Sequence, residues 1–348
     1  MKFQKGSGDF FALDIGTNAV RVLQLAPTND QWELVAHGYA PIDRRIVGSD
    51  TPDARRRLGE TITTAIGQSG IRTKNVAIGL PSNKTFTTIV DVPQISDTEL
   101  RATMKYQIDQ YVPMSDDAKV DWALLGPSLR AKEQQEVLIT SVSKAYSEDR
   151  LEFIESLGLN VIAIEPDPIA MVRALAPAKT DSQAALLIDI GELSTDLAIV
   201  YGGAPRLVRT IPSGLASFVK AAVQNLSVQD DQARQFILKF GLAEDRLDGQ
   251  VVRAVEGTLD SFASELTKSI KFFQTRYNNT QVATITLAGF GQIIPHFGEY
   301  IAAQVSVPAA PGDPWQRVSM PQSSQEQLAH VAAEFATAVG LAKRRNTA

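Results

Sequence analysis

One arrangement occurs twice in the chain and limits what it can fold into. An apolar strand ends on an aspartate, turns at a glycine through small polar residues, and re-enters an apolar strand. The copies are FALDIGTNAVRVLQL, from Phe11 to Leu25, and LLIDIGELSTDLAIV, from Leu186 to Val200. Aligned without a gap, Asp14, Gly16, Thr17 and Asn18 face Asp189, Gly191, Glu192 and Leu193, and Arg21 falls opposite Asp196. Such a repeat predicts two matching halves, each built on a β-hairpin. At 348 residues the chain is long for one core and suits a two-lobed fold.

Each turn has the chemistry to hold phosphate. Its glycine can adopt a positive φ and lets backbone N–H groups come close to a ligand, while neighbouring hydroxyls add donors. The strand-end aspartate would repel a bare phosphate, so it makes sense with Mg2+ in between. Magnesium keeps several waters, and one aspartate per hairpin can hold it through that shell. Two such hairpins facing across a cleft would clamp a triphosphate. A lone Asp-x-Gly turn is usually only a tight hairpin, so the pairing carries the reading. Neither copy is a P-loop or a Rossmann glycine motif. A third element follows, TITLAGFGQIIPHF, a β-branched strand whose Gly289 and Gly291 bracket Phe290 before a helix. At that junction adenine could lie against backbone near a helix N-terminus.

Composition removes other classes. The formal net charge is -5, and the basic runs Arg55 to Arg57 and Lys343 to Arg345 do not extend into a cationic stripe with aromatics, so nucleic acid is not an expected partner. Cysteine is absent, which excludes disulfides and thiolate chemistry, and three scattered histidines (His37, His296, His330) make no metal centre. No stretch reaches the roughly 20 apolar residues that span a bilayer, and the N-terminus lacks a signal-peptide core. The expected location is cytoplasmic, with any membrane association made through a partner.

Along the chain, three extended segments up to Ala40 precede a helix from Asp53 to Gly70 and a strand, NVAIGLP, stopped by Pro81. From Thr85 to Asn160 an inserted α/β segment is expected. Its first helix is opened by a capping box of Ser96 and Glu99, carries Leu100, Met104, Ile108 and Tyr111 at helical spacing, and ends at Pro113. A strand, EVLITSVS, and a helix starting at Ser147 and closed by Gly158 follow, with Tyr111, Trp122 and Phe153 expected in this segment's core. VIAIEP and a helix from Ile169 to Leu175 return to the first lobe. Helices are then expected at Ser213 to Asn225, Val228 to Phe240 and Glu256 to Tyr277, with a last helix over EQLAHVAAEFATAVGLAKR.

The order hairpin, insert, hairpin, helical segment, strand-Gly-x-Gly-helix resembles the actin, sugar-kinase and Hsp70 ATPase superfamily. Within it the chain is most similar to the PilM family of type IV pilus assembly proteins, relatives of the division protein FtsA. The resemblance spans nearly the whole chain and includes VDVPQISDTELRATMKYQIDQYVP, EFIESLGLNVIAIEPDPIAMVRAL, ELTKSIKFF and ATAVGLAKR. It implies an α/β, two-lobed actin-like ATPase fold with duplicated RNase-H-like sheets and an inserted FtsA-like 1C module. The implied division is subdomain 1A over 1–84 and 161–182, 1C over 85–160, 2A over 183–226 and 280–348, and helical 2B over 227–279.

The resemblance also implies ATP with Mg2+ between the lobes. Gly16, Thr17, Asn18 and Arg21 match the first phosphate loop, although lysine is common at position 21 in the family. Gly191, Ser194 and Thr195 match the second, Asp14 and Asp189 match the carboxylates that hold magnesium through water, and Glu265 and Lys268 lie in the helix that approaches ribose and adenine in relatives. Gly289, Phe290 and Gly291 match the adenosine motif. Phe290 replaces a favoured glycine, Gln292 a small hydroxyl residue, and Glu192-Leu193 enlarge the second loop, which points to ATP binding with weak or absent turnover.

For the partner, the resemblance implies the N-terminal cytoplasmic peptide of an inner-membrane PilN-like protein, received in a groove between the first lobe and the inserted module and coupled to nucleotide. The chain would then act as a scaffold at the inner face of the cytoplasmic membrane, with self-association left open. Three other readings share the fold, one of them a degenerate relative that binds no nucleotide and merely holds a partner, as the altered third motif allows. A sugar-kinase-type phosphotransferase needs a carboxylate base at the acceptor hydroxyl, and Asp167 and Asp196 both read equally well as turn or strand-end residues. An FtsA-like filament-forming protein usually carries an amphipathic helix after the last lobe, whereas this sequence stops at KRRNTA.

Overall fold

The computed structural model describes residues 9–29, 31–43, 46, 49–112, 117–177, 183–278 and 280–344. The first hairpin is β1 (Phe11–Ile15) and β2 (Ala19–Pro27), extended antiparallel by β3 (Trp32–Pro41). α1 (Pro52–Ser69) crosses over. The Thr51 hydroxyl caps it by accepting from the Ala54 N–H, and Gly70 ends it in the left-handed region. β4 (Asn75–Leu80) then lies parallel to β1.

β5 (Thr85–Pro93), α2 (Asp97–Gln107), β6 (Ala118–Pro127) and β7 (Gln134–Ser143) form a separate antiparallel sheet, ordered β5-β7-β6, with one helix on it. The capping box of Ser96 and Glu99 starts α2, which lays Leu100 and Met104 on Val137 and Ile139. Ile108 falls in a following 3-10 turn, and Pro113 lies outside the described residues. Tyr111 and Trp122 pack against this small core as expected. Phe153 does not. α3 (Lys144–Ser156) places it with Leu13, Ile62 and Ile78 beneath the first sheet. α3 also starts ahead of the predicted Ser147, because the Ser143 hydroxyl caps it by accepting from the Tyr146 N–H, while the Ser147 hydroxyl donates to the Lys144 carbonyl inside the first turn. β8 (Asn160–Pro166) returns parallel to β4, and α4 (Asp167–Leu175) follows.

The second half repeats the first. β9 (Ala184–Ile190), β10 (Thr195–Tyr201) and β11 (Ala204–Ile211) form an antiparallel meander. α5 (Leu215–Leu226), α6 (Asp230–Phe240) and α7 (Gln250–Arg276) come next, α7 beginning six residues before the predicted Glu256. β12 (Val282–Gly289) pairs parallel with β9. After α8 (Phe290–Ile293) and α9 (Phe297–Val305), β13 (Ala309–Pro311) pairs parallel with β12. Both sheets therefore share one plan, β3-β2-β1-β4-β8 and β11-β10-β9-β12-β13, three antiparallel strands followed by two parallel ones. β1 and β9 are covered on both faces, which is why their sequences are apolar runs instead of alternations.

β14 (Val318–Ser319) pairs with β3 at the edge of the first sheet. The final stretch, predicted as one helix, is α10 (Gln322–Leu328), a 3-10 turn over Ala332–Phe335 and α11 (Ala336–Ala342). The Trp315 indole N–H donates to the Ala332 carbonyl and Glu334 is drawn to Arg21, and both interactions hold the turn off a helical path. α11 packs so closely on α4 that a Cβ at Gly340 would overlap the Ala170 carbonyl. Residues 318–342, expected with the second lobe, thus lie against the first sheet. α4 and α11 form a helical layer between the sheets, meeting Ala12 and Leu23 of one and Leu187, Ala198 and Ala288 of the other. α1 and α3 cover the outer face of the first sheet, and α5, α7 and α9 that of the second.

Candidate functional site

The two hairpins share one register. Asp14 stands across from Arg21, and Asp189 across from Asp196. Each turn is closed by its glycine, the Gly16 N–H donating to the Ala19 carbonyl at 3.0 Å and the Gly191 N–H to the Ser194 carbonyl at 2.9 Å. Neither glycine uses a positive φ, contrary to expectation. Close packing is the constraint instead: a Cβ on Gly16 would crowd the Arg21 guanidinium, and one on Gly191 would lie 3.0 Å from the Ser194 carbonyl oxygen.

Between the hairpins is a cleft at the C-terminal ends of β1, β4, β9 and β12, where ligands of α/β sheets commonly sit. Asp14, Gly16, Thr17, Asn18 and Arg21 line one side, and Asp189, Gly191 and Ser194 the other. Gly289 and Phe290 close one end. Gly289 has φ +58, and a Cβ there would collide with Asp189 Oδ1 and the Ile190 carbonyl, so the third motif is glycine because it backs onto a cleft carboxylate. Thr195 does not reach the cleft. It is buried, and its hydroxyl donates to the Ser213 carbonyl at 2.7 Å. Gly291 packs against Ile190. Glu265 and Lys268 lie away from the cleft on α7, where Glu265 accepts from Arg209 at 2.5 Å and from Lys268 at 2.7 Å. Gln292 is structural, donating to the Leu287 and Gly312 carbonyls at 2.6 and 2.8 Å and so tying β12 to the turn beyond β13.

Four aspartates converge here: Asp14, Asp167, Asp189 and Asp196. Burial pushes the Asp189 carboxyl up to about 7, with repulsion from Asp196 adding to it. Burial also raises Asp196 to about 6, against hydrogen bonds from Ser82 and Thr210. Asp167, the first residue of α4, is held well above the usual carboxylate range by burial and by the charges of Asp14, Asp196 and Asp189. Its Oδ1 is buried without a hydrogen-bond partner. Asp14 is raised by burial, which outweighs the adjacent Arg21. The Ser82–Asp196 hydrogen bond runs from the segment after β4 to β10 and so crosses the cleft.

Arg21 is buried in a polar cage. It donates to Asp14 at 3.3 Å, to Asn18 at 2.9 Å and to Glu334, and its guanidinium lies 5.6 Å from the centre of the Tyr39 ring. Glu334 also accepts from the Asn18 amide at 2.6 Å. Sequence reasoning misses Glu334 because the helix break that aims it inward has no signature in EQLAHVAAEFATAVGLAKR. Asp167 and Asp196, read from the sequence equally well as turn or strand-end residues, both line the cleft. Glu192 is buried in an ion pair with Arg234 of α6, and Arg234 lies 6.0 Å from the centre of the Phe290 ring. Phe290 itself belongs to the second sheet's core.

A family model described as type IV pilus assembly protein PilM matches residues 12–346. Among solved structures, a PilM-PilN type IV pilus biogenesis complex aligns with TM-score 0.81 at 22% identity, over 95% of this chain and 97% of that one. The ethanolamine utilization protein EutJ from Carboxydothermus hydrogenoformans aligns with TM-score 0.54 at 13% identity, over 97% and 90%. MreB 5 of Spiroplasma citri bound to AMPPNP gives TM-score 0.54 at 13% identity, over 96% and 95%. A comparison with curated proteins found no match.

Proposed function

The chain belongs to the type IV pilus assembly protein PilM family and has the two-lobed actin-like ATPase fold, and from that premise we propose that it is an ATP-dependent scaffold. In this proposal Mg-ATP binds between the hairpins, and the N-terminal cytoplasmic peptide of a PilN-like inner-membrane protein binds in a groove beside the three-stranded sheet. Each event changes the affinity for the other.

The observation that carries the nucleotide half is the crowding of four carboxylates around a cleft that also holds Arg21 and two glycine turns. Buried aspartates that repel one another, with Asp167 Oδ1 lacking any donor, fit a divalent cation. Among the described residues no three carboxylate or imidazole groups converge tightly enough to ligate one ion directly, which fits magnesium held through its water shell. Bound there by Asp14 and Asp189, magnesium supplies the positive charge that lets a polyphosphate approach the aspartates. Gly16, Thr17, Asn18, Gly191 and Ser194 offer amide and hydroxyl donors to the phosphates, and Arg21 offers a planar cation. Burial and the charges of Asp14, Asp196 and Asp189 favour the protonated form of Asp167 while the cleft holds no cation, in keeping with binding over turnover. The fold relative MreB 5 is bound to AMPPNP, which agrees with this reading.

The peptide half is supported by a cavity of about 820 Å³ between the three-stranded sheet and the first lobe. Ala123 and Leu138 line it on one side, Ile164 and Ile169 on the other, with Leu151 between β7 and β8 in the chain. β6 is an edge strand of its sheet and leaves backbone groups open to an extended peptide. The solved complex names PilN as the partner of the related PilM. No helix among the described residues is long and apolar enough to cross a membrane, so recruitment to the membrane would fall to that partner.

Isothermal titration of Mg-ATP into the wild type and into Asp14→Ala tests the site, with binding expected only in the first. Titration of a PilN-type N-terminal peptide with and without nucleotide tests the coupling. Equal peptide affinity in both states would remove the coupling, and no heat from Mg-ATP with the wild type would remove the nucleotide site.

A further inference from the structure

A second buried charge cluster lies away from the cleft. Glu136, on β7, is 0% exposed. It accepts from Arg206 of β11, from the Tyr277 hydroxyl just past α7 at 2.7 Å, and from Arg130 at 3.0 Å. Arg130 also pairs with Asp91 of β5 at 2.5 Å, and Arg276 of α7 donates to the Ile89 carbonyl of β5. Glu136, Arg130, Asp91 and Ile89 belong to the three-stranded module, whereas Arg206, Arg276 and Tyr277 belong to the second lobe. We infer that this cluster is a latch that fixes the groove-forming module to the second lobe, so that lobe movement on nucleotide binding reaches the peptide groove. The inference rests on the proposed coupling and names how it is transmitted.

Two features of strand geometry place the latch between the sites. On β7, Glu136, Leu138 and Thr140 are two residues apart, so they share one face of the sheet. Leu138 and Thr140 line the groove, while Val137 and Ile139 face α2 in the module's own core. The face that carries the latch at one end therefore carries the groove wall at the other. On β11, Thr210 donates to Asp196 in the cleft at 3.2 Å, and Arg206 lies four residues back on the same strand. The module's strands pair with neither large sheet. A carboxylate with no exposure, held among arginines and a tyrosine, cannot part from them without leaving buried charge unpaired, so module and second lobe move as one body.

The chain has no cysteine, so Lys119→Cys on β6 and Arg317→Cys, both exposed at the groove, give a unique spin-label pair across it. The distance between the labels is read by pulsed electron paramagnetic resonance with and without Mg-AMPPNP, in this background and with Glu136→Gln or Arg276→Ala added. Nucleotide affinity is followed in parallel by calorimetry. The expected result is a nucleotide-driven shift in the unsubstituted latch that is lost in Glu136→Gln and reduced in Arg276→Ala, with nucleotide affinity changed less than about twofold. A shift that survives in both variants overturns the latch and leaves the coupling standing. No shift in an intact latch that binds nucleotide overturns the coupling and the latch together. Arg276→Ala leaves Glu136 and its partners in place, so it remains informative should Glu136→Gln fold poorly.

Discussion

Arg21 faces two carboxylates, Asp14 and Glu334, and both must be accommodated if a phosphate is to approach it. Glu334 holds Arg21 and Asn18 together, the two side chains that would otherwise turn toward an anion. Glu334→Gln keeps hydrogen-bonding capacity and removes the competing charge. It is expected to tighten Mg-ATP binding roughly tenfold, about the worth of one charge-assisted hydrogen bond no longer in competition. Titration calorimetry reads this directly, and weaker or unchanged binding would mean that Glu334 does not compete with the ligand. Asp189 gives a pH test. Its folded carboxyl titrates at about 7 against the ordinary 3.8, so between these values the folded state holds a proton that the unfolded chain releases. The stability it confers is complete below about pH 4 and is lost as pH rises through about 7. In the presence of a chelator, Asp189→Asn should match the wild type near pH 4.5 and exceed it near pH 8 by an amount on the order of 2 kcal/mol. Urea unfolding at both pH values checks the sign, and a variant less stable at pH 8 would show that burial and the neighbouring charge do not raise this group.

At the scale of elements, legibility followed how local the determinants are. The hairpins could be read because apolar runs, strand-end aspartates and turn glycines lie within fifteen residues of one another, and the Ser96–Glu99 capping box because it closes within one turn. The start of α3 was misplaced because Ser143 and Ser147 are both plausible caps, and only the strand leading into the helix selects the first. The break before α11 could not be read at all. Its causes, Trp315 at Ala332 and Arg21 at Glu334, come from residues far away in sequence. For the same reason the first hairpin's side of the cleft was legible while Ser82, Asp167 and Glu334 were not placed there, and neither was the position of Glu265 and Lys268 outside the cleft, since helical position says nothing of the neighbour that a face will meet. The α4–α11 layer makes its own prediction. Gly340 lets the two helix backbones touch, so Gly340→Val must push α11 off α4 and with it the turn that carries Glu334. Overpacking of this kind costs about 1–3 kcal/mol. Thermal unfolding should show that loss, and an unchanged midpoint would mean that α11 can shift freely.

For the whole molecule, the consequence of the repeated hairpin is that neither half owns the cleft. Among the described residues the halves meet through α4 and α11 in the middle, through the Ser82–Asp196 bond across the cleft, and, by way of the three-stranded module, through the Glu136 cluster. A ligand gripped by both hairpins adds a further tie and stabilises the assembled pair over either half. By mass action, Mg-ATP at a hundred times its dissociation constant adds about 2.7 kcal/mol, and magnesium without nucleotide adds less, because it relieves the aspartates but spans no phosphate. Calorimetric scans should therefore show the nucleotide raising the unfolding of both lobes together, with Asp14→Ala removing most of the gain. If Mg-ATP moved only one of two separate transitions, the ligand would be held by a single hairpin, and the matched register of Asp14 with Asp189 would be a relic of duplication without a shared task.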